Sequence, residues 1–342
     1  MDPLTHVLVG ASFGYAGFGR RLGRTSAWVG GLSAFIPDAD IFIRSENDPL
    51  LAIEYHRHFT HALAFAPLGA ALVVGIALLQ ARHRAHWLML WVCATSAYAS
   101  HCLLDAATSY GTQLLWPFSS QRFGWDLVSI IDPIFTAMLA IPVGLALIRR
   151  CPRAATAGLI LGGSYLVVGA VQHARATRAQ AALVDVRGHT RERLEIMPTM
   201  ANNLVWRALY LHNGRIYSDR IRVGWFSGAT VRNGWSVPLM ELAQLNATET
   251  ARNQHRSFER FAWFSDGWVA RSPRDETVLA DMRYSLSAEA FDPIWGIRFN
   301  NSAAGTDVLW INRTRERQIK PTELWREVIG QDNRFQPVNQ VK

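Results

Sequence analysis

Cysteine is scarce in this sequence, with only three among 342 residues, which is too few for a disulfide framework. Cys93 and Cys102 lie inside an apolar run and Cys151 lies in a basic link, so a Cys-x-x-Cys metal motif is absent as well. The first residues also lack the basic region and the cleavage site of a secretory signal, and we interpret them as a retained first helix. These absences exclude a disulfide-stapled secreted domain and a thiolate zinc site.

The distribution of apolar residues divides the chain into two unlike parts, which the mean hydropathy of +0.04 conceals. Up to about residue 172, long apolar runs alternate with short basic clusters, whereas the remainder has the mixed polar and aromatic composition of a soluble fold. We therefore predict a membrane domain over residues 1–173, a linker over 174–184 and a soluble domain over 185–342.

The apolar runs of the first part differ in length. A transmembrane helix needs about 20 apolar residues. Four runs meet this length, at about 62–81, 87–106, 128–148 and 154–172. Two shorter runs, at about 4–19 and 26–43, contain glycine and proline, and we expect weaker helices there that are either re-entrant or spanning. The predicted fold of this domain is an all-α membrane bundle with about four to six transmembrane helices.

The formal net charge of +8 raises the question of a nucleic-acid partner. In the first part, however, the basic residues cluster in the short links between apolar runs, which is typical of cytoplasmic loops. They are Arg20, Arg21, Arg24, Arg82, Arg84, Arg149, Arg150 and Arg153. We therefore expect the lipid bilayer as partner and no nucleic acid. With these links in the cytoplasm, the soluble domain and the polar residues described next lie on the outer, periplasmic side.

Alternating apolar and polar residues in the C-terminal part predict β-strands at about 215–225, 262–270, 277–286 and 294–299. Glycine, asparagine, aspartate and proline separate these segments, and a helix is expected at about 321–329. The soluble domain is therefore predicted to be α+β and to contain a sheet.

Three histidines fall within six residues at the start of a predicted span, at positions 56, 58 and 61. Neutral imidazole is the commonest metal ligand, and ligands at a helix end converge without placing charge in lipid. The cluster therefore predicts a metal site. The alternative is an interfacial polar cluster that anchors the helix.

His101 and Asp105 lie four residues apart in an apolar run, which places both on one face of a helix. An aspartate inside such a helix is costly and indicates function by default. We interpret the pair as part of the same site, the alternative being a hydrogen-bonded pair that joins helices.

Other positions carry weaker signals. Asp38 and Asp40 suit a cation site, but also an ordinary polar helix end. Asp132 precedes Pro133, a combination that also suits a helix start, where aspartate caps and proline fits the first turn. His6 lies on an apolar face, where a lone histidine is usually a core residue, although here it shares its side of the membrane with the other candidates.

The order of these residues along the chain resembles the pattern of the YdjM-like family of membrane-bound, metal-dependent hydrolases of the bacterial inner membrane. The resemblance rests on MDPLTHVLVGA at the start, PDAD at 37–40, HRHFTHAL at 56–63, HCLLDAATSYGTQLLWPF at 101–118 and IIDP at 130–133. It covers roughly the first half of the chain, and MPTMANNLVWRALY at 197–210 is similar to the extension of longer members. His58 departs from the pattern, which has a small or apolar residue there.

The resemblance implies one polar site made of His6, Asp38, Asp40, His56, His61, His101, Asp105 and Asp132, supported by Arg57, Thr60 and Thr108. We assign metal binding to His6, His56, His61, His101, Asp105 and Asp132. We assign catalytic roles to Asp38, Asp40, Arg57 and Thr108. Imidazoles mixed with carboxylates favour zinc, with manganese or iron as alternatives, and the number of candidates allows two ions.

The expected activity is hydrolysis of an ester or phosphoester of a lipid or lipid-linked substrate at the outer membrane face, with Arg57 available to hold a phosphate. One alternative is a metal or proton transporter, which would need polar residues in the cytoplasmic half of the helices, where few are found. The other is a non-enzymatic scaffold whose soluble domain binds a partner, which an exposed patch of Trp225, Trp235 and Trp268 would support.

Overall fold

The structure is a computed structural model of the chain, and it describes residues 1–244, 249–286, 291–300, 307–316 and 320–340. The chain forms two compact units. The first contains Met1–Ile43, Tyr55–Val171 and Pro198–Asn203, and the second contains Arg44–Glu54, Gln172–Met197 and Leu204–Lys342. The chain therefore passes between the units more than once.

The N-terminal half is helical. Its α-helices are α1 (Pro3–Leu22), α2 (Thr25–Ser33), α3 (Leu51–Tyr55), α4 (Ala66–Leu78), α5 (Trp87–Ala106), α6 (Pro133–Arg149) and α7 (Pro152–Val186). Short 3-10 helices lie between them at Ile36–Phe42, Phe59–His61, Leu63–Phe65 and Ala81–His86. α1 begins at Pro3 because proline suits the first turn and the Asp2 carboxylate accepts a hydrogen bond from the Thr5 amide (3.0 Å).

Two helices in the described part of the chain, Ala81–Ala106 and Pro152–Val186, are long and apolar enough to cross a membrane. The pair Leu51–His61 and Leu63–Leu78, bent by 60° at its break, would make a third span. α6 is apolar but shorter. A helical first domain with candidate membrane spans is thus confirmed, whereas the predicted number of four to six spans is not.

The apolar run at 26–43 does not form one helix. α2 ends at Ser33, and a 3-10 helix begins at Ile36. Pro37 explains the break, because proline lacks the amide hydrogen that an α-helix requires and disfavours helical geometry in the residue before it. The run at 4–19, in contrast, lies within the single helix α1.

α1 and α2 pack with their backbones in direct contact. A Cβ atom at Gly14 would lie 2.0 Å from the carbonyl oxygen of Ser26, and a Cβ atom at Gly30 would lie 2.2 Å from that of Gly10. Only glycine permits so close an approach. The contact matters for function because α2 leads directly into the 3-10 helix that carries two of the predicted site aspartates.

The second unit contains two sheets, whose described strand pairs are antiparallel. The strands are β1 (Arg193–Pro198), β2 (Val205–His212), β3 (Arg215–Val223), β4 (Ala229–Arg232), β5 (Ser236–Pro238), β6 (Val269–Ser272), β7 (Asp275–Asp281), β8 (Trp295–Phe299), β9 (Val308–Asn312) and β10 (Gln336–Pro337). The first sheet has the order β1-β2-β3-β4-β10, with β5 also paired to β3, and the second has the order β6-β7-β8-β9. Two further helices are α8 (Glu249–Phe264) and α9 (Pro321–Ile329).

The last turns of α7 belong to the second unit and form one of its cores. Ala176 and Leu183 of α7 pack with Trp206 and Ile221 of the β2–β3 hairpin, and all four side chains are buried. The residues expected to form a linker, 174–184, therefore lie within a helix that packs against a sheet.

Most of the predicted C-terminal elements are present. The strands predicted at 215–225, 277–286 and 294–299 correspond to β3, β7 and β8, and the predicted helix corresponds to α9. A sheet-rich C-terminal domain is thus confirmed.

The strand predicted at 262–270 is wrong, because α8 continues to Phe264 and β6 begins only at Val269. Phe258, Phe261 and Phe264 are spaced three residues apart and all are buried, which is the period of a helix face. Trp268, one of the three tryptophans whose exposure would have supported a scaffold, is buried in the core.

Arginine side chains hold two peripheral segments of the second unit. Arg260 of α8 forms ion pairs with Asp48 (2.8 Å) and Glu54 (2.5 Å), so the segment Arg44–Glu54 is fixed to this helix. Near the C-terminus, a hydrogen bond from Arg334 lowers the pKa of Asp332 to about 2, so this carboxylate stays charged at neutral pH.

Gly14→Ala is expected to lower the thermal midpoint of the detergent-purified protein by several degrees, because overpacking a close contact costs about 1–3 kcal/mol. Gly17→Ala is the matched control in the same helix. No atom lies within 4 Å of its Cβ position, and alanine is the better helix former by about 1 kcal/mol. Equal midpoints for the two variants in a fluorescence melting assay would contradict the backbone contact between α1 and α2.

Candidate metal centre

The centre is built around the last turns of α5, which carry His101 and Asp105 on one face. Both side chains are fully buried, and His101 Nε2 lies 3.6 Å from Asp105 Oδ2. The 3-10 helix Phe59–His61 adds His61, whose Nε2 lies 3.2 Å from Asp105 Oδ2 and 2.9 Å from His101 Nε2. The structure thus brings together two motifs that lie far apart in the sequence.

Asp38 adds the fourth donor from the 3-10 helix Ile36–Phe42. Its Oδ1 lies 3.7 Å from His61 Nε2 and 3.8 Å from His101 Nε2. The donor atoms of Asp38, His61, His101 and Asp105 all lie within 4.8 Å of one another. Donors of a tetrahedral zinc ion are about 3.3 Å apart when the bonds are about 2.0–2.1 Å. The donor set and its spacing therefore fit a single tetrahedral ion.

Asp105 supplies a second sign of a cation site. Its Oδ2 atom is buried, and in the described part of the chain no contact to it has hydrogen-bond geometry, although Arg57 Nε lies 3.0 Å away as an ion-pair partner. Buried carboxylate oxygens usually accept well-formed hydrogen bonds. A metal ion among the four donors would satisfy it.

The hydrogen bonds of the two imidazoles orient them for metal binding. His101 Nδ1 lies 2.7 Å from the carbonyl oxygen of Ala34, which can only accept, so the ring proton is on Nδ1 and the Nε2 lone pair faces the centre. His61 Nδ1 lies 3.2 Å from Asp40 Oδ2. Histidine ligands of metals usually donate their second nitrogen to a carboxylate or a carbonyl in this way.

Asp40 is the centre of a hydrogen-bond network beside the four donors. Its carboxylate accepts hydrogen bonds from the Arg57 amide (2.8 Å) and the Thr60 hydroxyl (3.2 Å), and it lies 2.9 Å from His56 Nδ1. Asp40 thus contacts His61, one of the four donor residues, and is not itself in the four-donor group.

Arg57 compensates the charge of Asp105. Its Nε lies 3.0 Å from Asp105 Oδ2, and its Nη1 donates hydrogen bonds to the Asp105 carbonyl (3.2 Å) and to the Thr108 hydroxyl (2.8 Å). The guanidinium also lies 4.7 Å from the centre of the Tyr110 ring. Arg57 has a φ of +61°, which is rare for a residue with a side chain and marks local strain at the site.

His6 contacts two of the four donor residues but is not itself one of the four. Its Nε2 lies 3.0 Å from Asp105 Oδ1, and its ring stacks on that of His101 with the centroids 3.7 Å apart. The amino group of Met1 also contacts Asp105. His6 is therefore a neighbour of the four-donor group and contacts a different oxygen of the same carboxylate.

Two other predicted ligands lie outside the four-donor group. Asp132 caps α6 by accepting hydrogen bonds from its first free amides (3.1 Å), and it also accepts one from the Tyr165 hydroxyl (2.7 Å). This is the helix-start role that the sequence left open. His56 contacts the carboxylate of Asp40. His58, which departs from the family pattern, lies against the ring of Trp116, with the ring centroids 5.5 Å apart.

Sequence reasoning missed two contributors to this site. The carbonyl of Ala34 has no side-chain signal, because any residue at that position supplies the same oxygen. Tyr110 lies inside the motif at 101–118, but only the fold reveals that its ring contacts Arg57.

Solvent reaches the four donors only at one edge. The side chain of Asp38 is 16% exposed, whereas those of His61, His101 and Asp105 are fully buried. A reactant would therefore approach from the side of Asp38.

A membrane protein with a buried cluster of histidine and aspartate that could hold a metal ion is the class that the fold and the site define. The family model described as YdjM inner membrane protein matches residues 1–176, which is more than half of the chain. The chain therefore belongs to the YdjM inner membrane protein family, as its motifs predicted.

Two relatives were found among curated proteins. The chain is 30% identical over 148 residues to YfhP of Bacillus subtilis (strain 168), which covers 41% of this chain and 45% of that protein. It is 33% identical over 107 residues to the inner membrane protein YbcI of Escherichia coli (strain K12), which covers 30% of this chain and 61% of that protein. The chain thus spans less than two thirds of the length of either relative. No solved structure matches it.

His101→Ala is expected to abolish stoichiometric metal binding, because it removes one of four converging donors. Asp132→Asn is expected to retain the metal, because its oxygens cap α6 and bind Tyr165. Elemental analysis of purified variants by plasma mass spectrometry, with His86→Ala as a control at an exposed histidine, measures both. Equal metal content in the wild type and His101→Ala would show that these residues do not form a metal centre.

Asp40→Asn is expected to weaken metal binding by about 10- to 100-fold without abolishing it, because it removes the carboxylate that orients His61. Competition with a chromophoric chelator gives the affinity. Asp185→Asn, at an exposed position, is the matched control. An affinity of Asp40→Asn equal to that of the control is inconsistent with an orienting role.

Proposed function

We propose that this chain is a metal-dependent hydrolase that acts on an ester or phosphoester of a lipid or lipid-linked molecule at the outer face of the bacterial inner membrane. The observation that carries the proposal is the set of four converging donors with a single partly exposed edge. The Nε2 atoms of His61 and His101 each lie within 4 Å of the Asp38 and Asp105 carboxylates, which is the convergence that a bound cation needs.

His61, His101 and Asp105 would hold the ion, and Asp38 would lie beside the position left for water; zinc suits this mixture best, with manganese or iron as alternatives. A divalent ion there supplies Lewis-acid activation of water near neutral pH. Asp132 and His56 are engaged in contacts with other residues, and His6 uses its Nε2 on Asp105, which favours one ion over two. We therefore assign His6 and His56 to the surroundings of the ion and retain Asp132 as a ligand only for a second ion.

Asp38 is the residue that we assign to proton transfer. It is the most exposed of the four, and its Oδ1 has the longest separations from the imidazole nitrogens (3.7 and 3.8 Å). A loosely held carboxylate at the open edge can accept a proton from an attacking water. Asp40 keeps the His61 ring in place during this step, and its role is positional.

Arg57 forms an ion pair with Asp105, and Thr108 holds Arg57 in place, so both residues act through the Asp105 carboxylate. The Arg57 side chain is only 4% exposed and is held by Thr108, which places its positive charge next to the donors and away from solvent. This charge favours an anionic group at the site, such as a phosphoester, through the electrostatic field rather than through direct contact. The phosphate-binding role expected of Arg57 is thereby replaced by a role in charge balance.

A lipid substrate is supported by the surface next to Asp38. Ile41 and Phe42, in the same 3-10 helix, are 57% and 74% exposed. Apolar side chains at the open edge of a polar centre suit a substrate that has both a polar group and hydrocarbon. The outer-face location is supported by the basic links between apolar runs, whose charge favours the cytoplasmic side.

Turnover is tested with the full chain in lipid nanodiscs. The substrates are a phosphomonoester lipid, a phosphodiester lipid and a carboxylic ester lipid, each assayed after metal removal and after reloading with zinc, manganese or iron. We expect hydrolysis of at least one class, loss on metal removal and recovery on reloading. Asp38→Asn is expected to reduce kcat by about 100-fold or more, since a positioned proton acceptor contributes about 10²–10⁴.

Asp185→Asn serves as the control and is expected to keep full activity. Hydrolysis by His101→Ala at the wild-type rate for all three classes would refute the proposal. Metal flux in proteoliposomes without hydrolysis would indicate the transporter instead.

A further inference from the structure

The loop between β3 and β4 presents two large apolar side chains to the surroundings. Its residues 224–228 read Gly-Trp-Phe-Ser-Gly. Trp225 is 54% exposed and Phe226 is fully exposed. Neighbouring large apolar side chains that are exposed at the tip of a hairpin are typical of a surface that meets a partner or a membrane.

The base of this loop is fixed beside the first polar turn of α7. No charged residue lies between Arg153 and Arg175, and the apolar part of this candidate span ends at Val171. The next residue, Gln172, is buried and donates a hydrogen bond from Nε2 to the carbonyl oxygen of Val223 (3.0 Å). Val223 is the residue that immediately precedes the loop.

Helix α7 therefore gives the depth of the loop in the membrane. The first polar residues after an apolar span lie in the interfacial layer, which is about 5–8 Å thick on each side of the hydrocarbon. Two or three extended residues cover roughly 7–10 Å. A tip that starts at Val223 is thus long enough to reach across this layer.

The chemistry of the surrounding residues matches the same layer. Tryptophan is enriched at membrane interfaces because its ring is apolar and its N–H is polar. Arg175, which donates a hydrogen bond to Gln172 Oε1 (2.6 Å), lies in the same polar turn and suits anionic headgroups. The exposed aromatic pair and its basic neighbour therefore favour lipid over a protein partner.

We propose that the Trp225 and Phe226 tip inserts into the interfacial layer of the leaflet from which α7 emerges. The bilayer is then a second attachment of the soluble domain, in addition to the helix that leads into it. This contact is independent of the metal centre and of the reaction proposed for it.

The insertion is tested by site-specific labelling of the full chain in nanodiscs that contain anionic lipid. Cys151 is replaced by serine, since it is the exposed cysteine and the other two are buried. Phe226→Cys is then labelled with an environment-sensitive fluorophore, and quenching is measured with lipids that carry a nitroxide near the headgroup.

Trp235→Cys provides the matched control. Trp235 is 66% exposed, and its carbonyl accepts a hydrogen bond from the amide of Ser218, five residues before Val223 on β3. Five strand residues correspond to about 16 Å along β3, so position 235 is an exposed tryptophan site well separated from the loop tip.

We expect the label at position 226 to show a blue-shifted emission and at least twofold stronger lipid quenching than the label at 235. Gel filtration shows whether both labelled proteins are folded. Equal quenching at the two positions would overturn the proposal. So would protection of position 226 that occurs only in native membranes and not in nanodiscs, because it would identify a protein partner.

Discussion

A fully buried carboxylate in an apolar helix is the constraint on which the first unit depends. Removing the charge of Asp105 from water costs several kcal/mol unless it is paired and hydrogen-bonded. Its partners come from separate segments: Arg57 from the link after α3, His61 from a 3-10 helix and His6 from α1. Satisfying one charge therefore brings three distant parts of the chain to one point, and the same convergence creates the candidate metal centre.

Irregular backbone surrounds Asp105 and carries several of the residues that contact it. Asp38 and His61 lie on short 3-10 helices, and Arg57 adopts a positive φ. At membrane depth, non-helical backbone is stable only where protein or a polar cavity covers it. Burial of these segments against α5 meets that condition and frees their side chains to point at the centre. The close backbone contact of α1 with α2 in turn places the carbonyl of Ala34 against His101.

The second unit depends on a different principle, the burial of large aromatic and aliphatic side chains between helices and sheets. α7 contributes to it by extending beyond its apolar stretch and packing its last turns on the β2–β3 hairpin. One continuous helix thus serves two environments, lipid for its first part and a protein core for its last. The segment Arg44–Glu54 shows that the chain also enters this unit between two residues of the metal site, Asp40 and His56.

Much of this protein was determined by the sequence alone. Membrane segments, the sheet-rich C-terminal part, the family and the meeting of His61 with His101 and Asp105 all follow from local composition and motif, because hydropathy and ligand spacing are properties of the chain itself. The tertiary structure decided which candidates share one centre. It placed Asp38 among the four donors, Asp40 next to Nδ1 of His61, and Asp132 at the start of α6. Aspartates look alike in a sequence, and only the partners that the fold brings within hydrogen-bond distance distinguish a ligand from an orienting group or a cap.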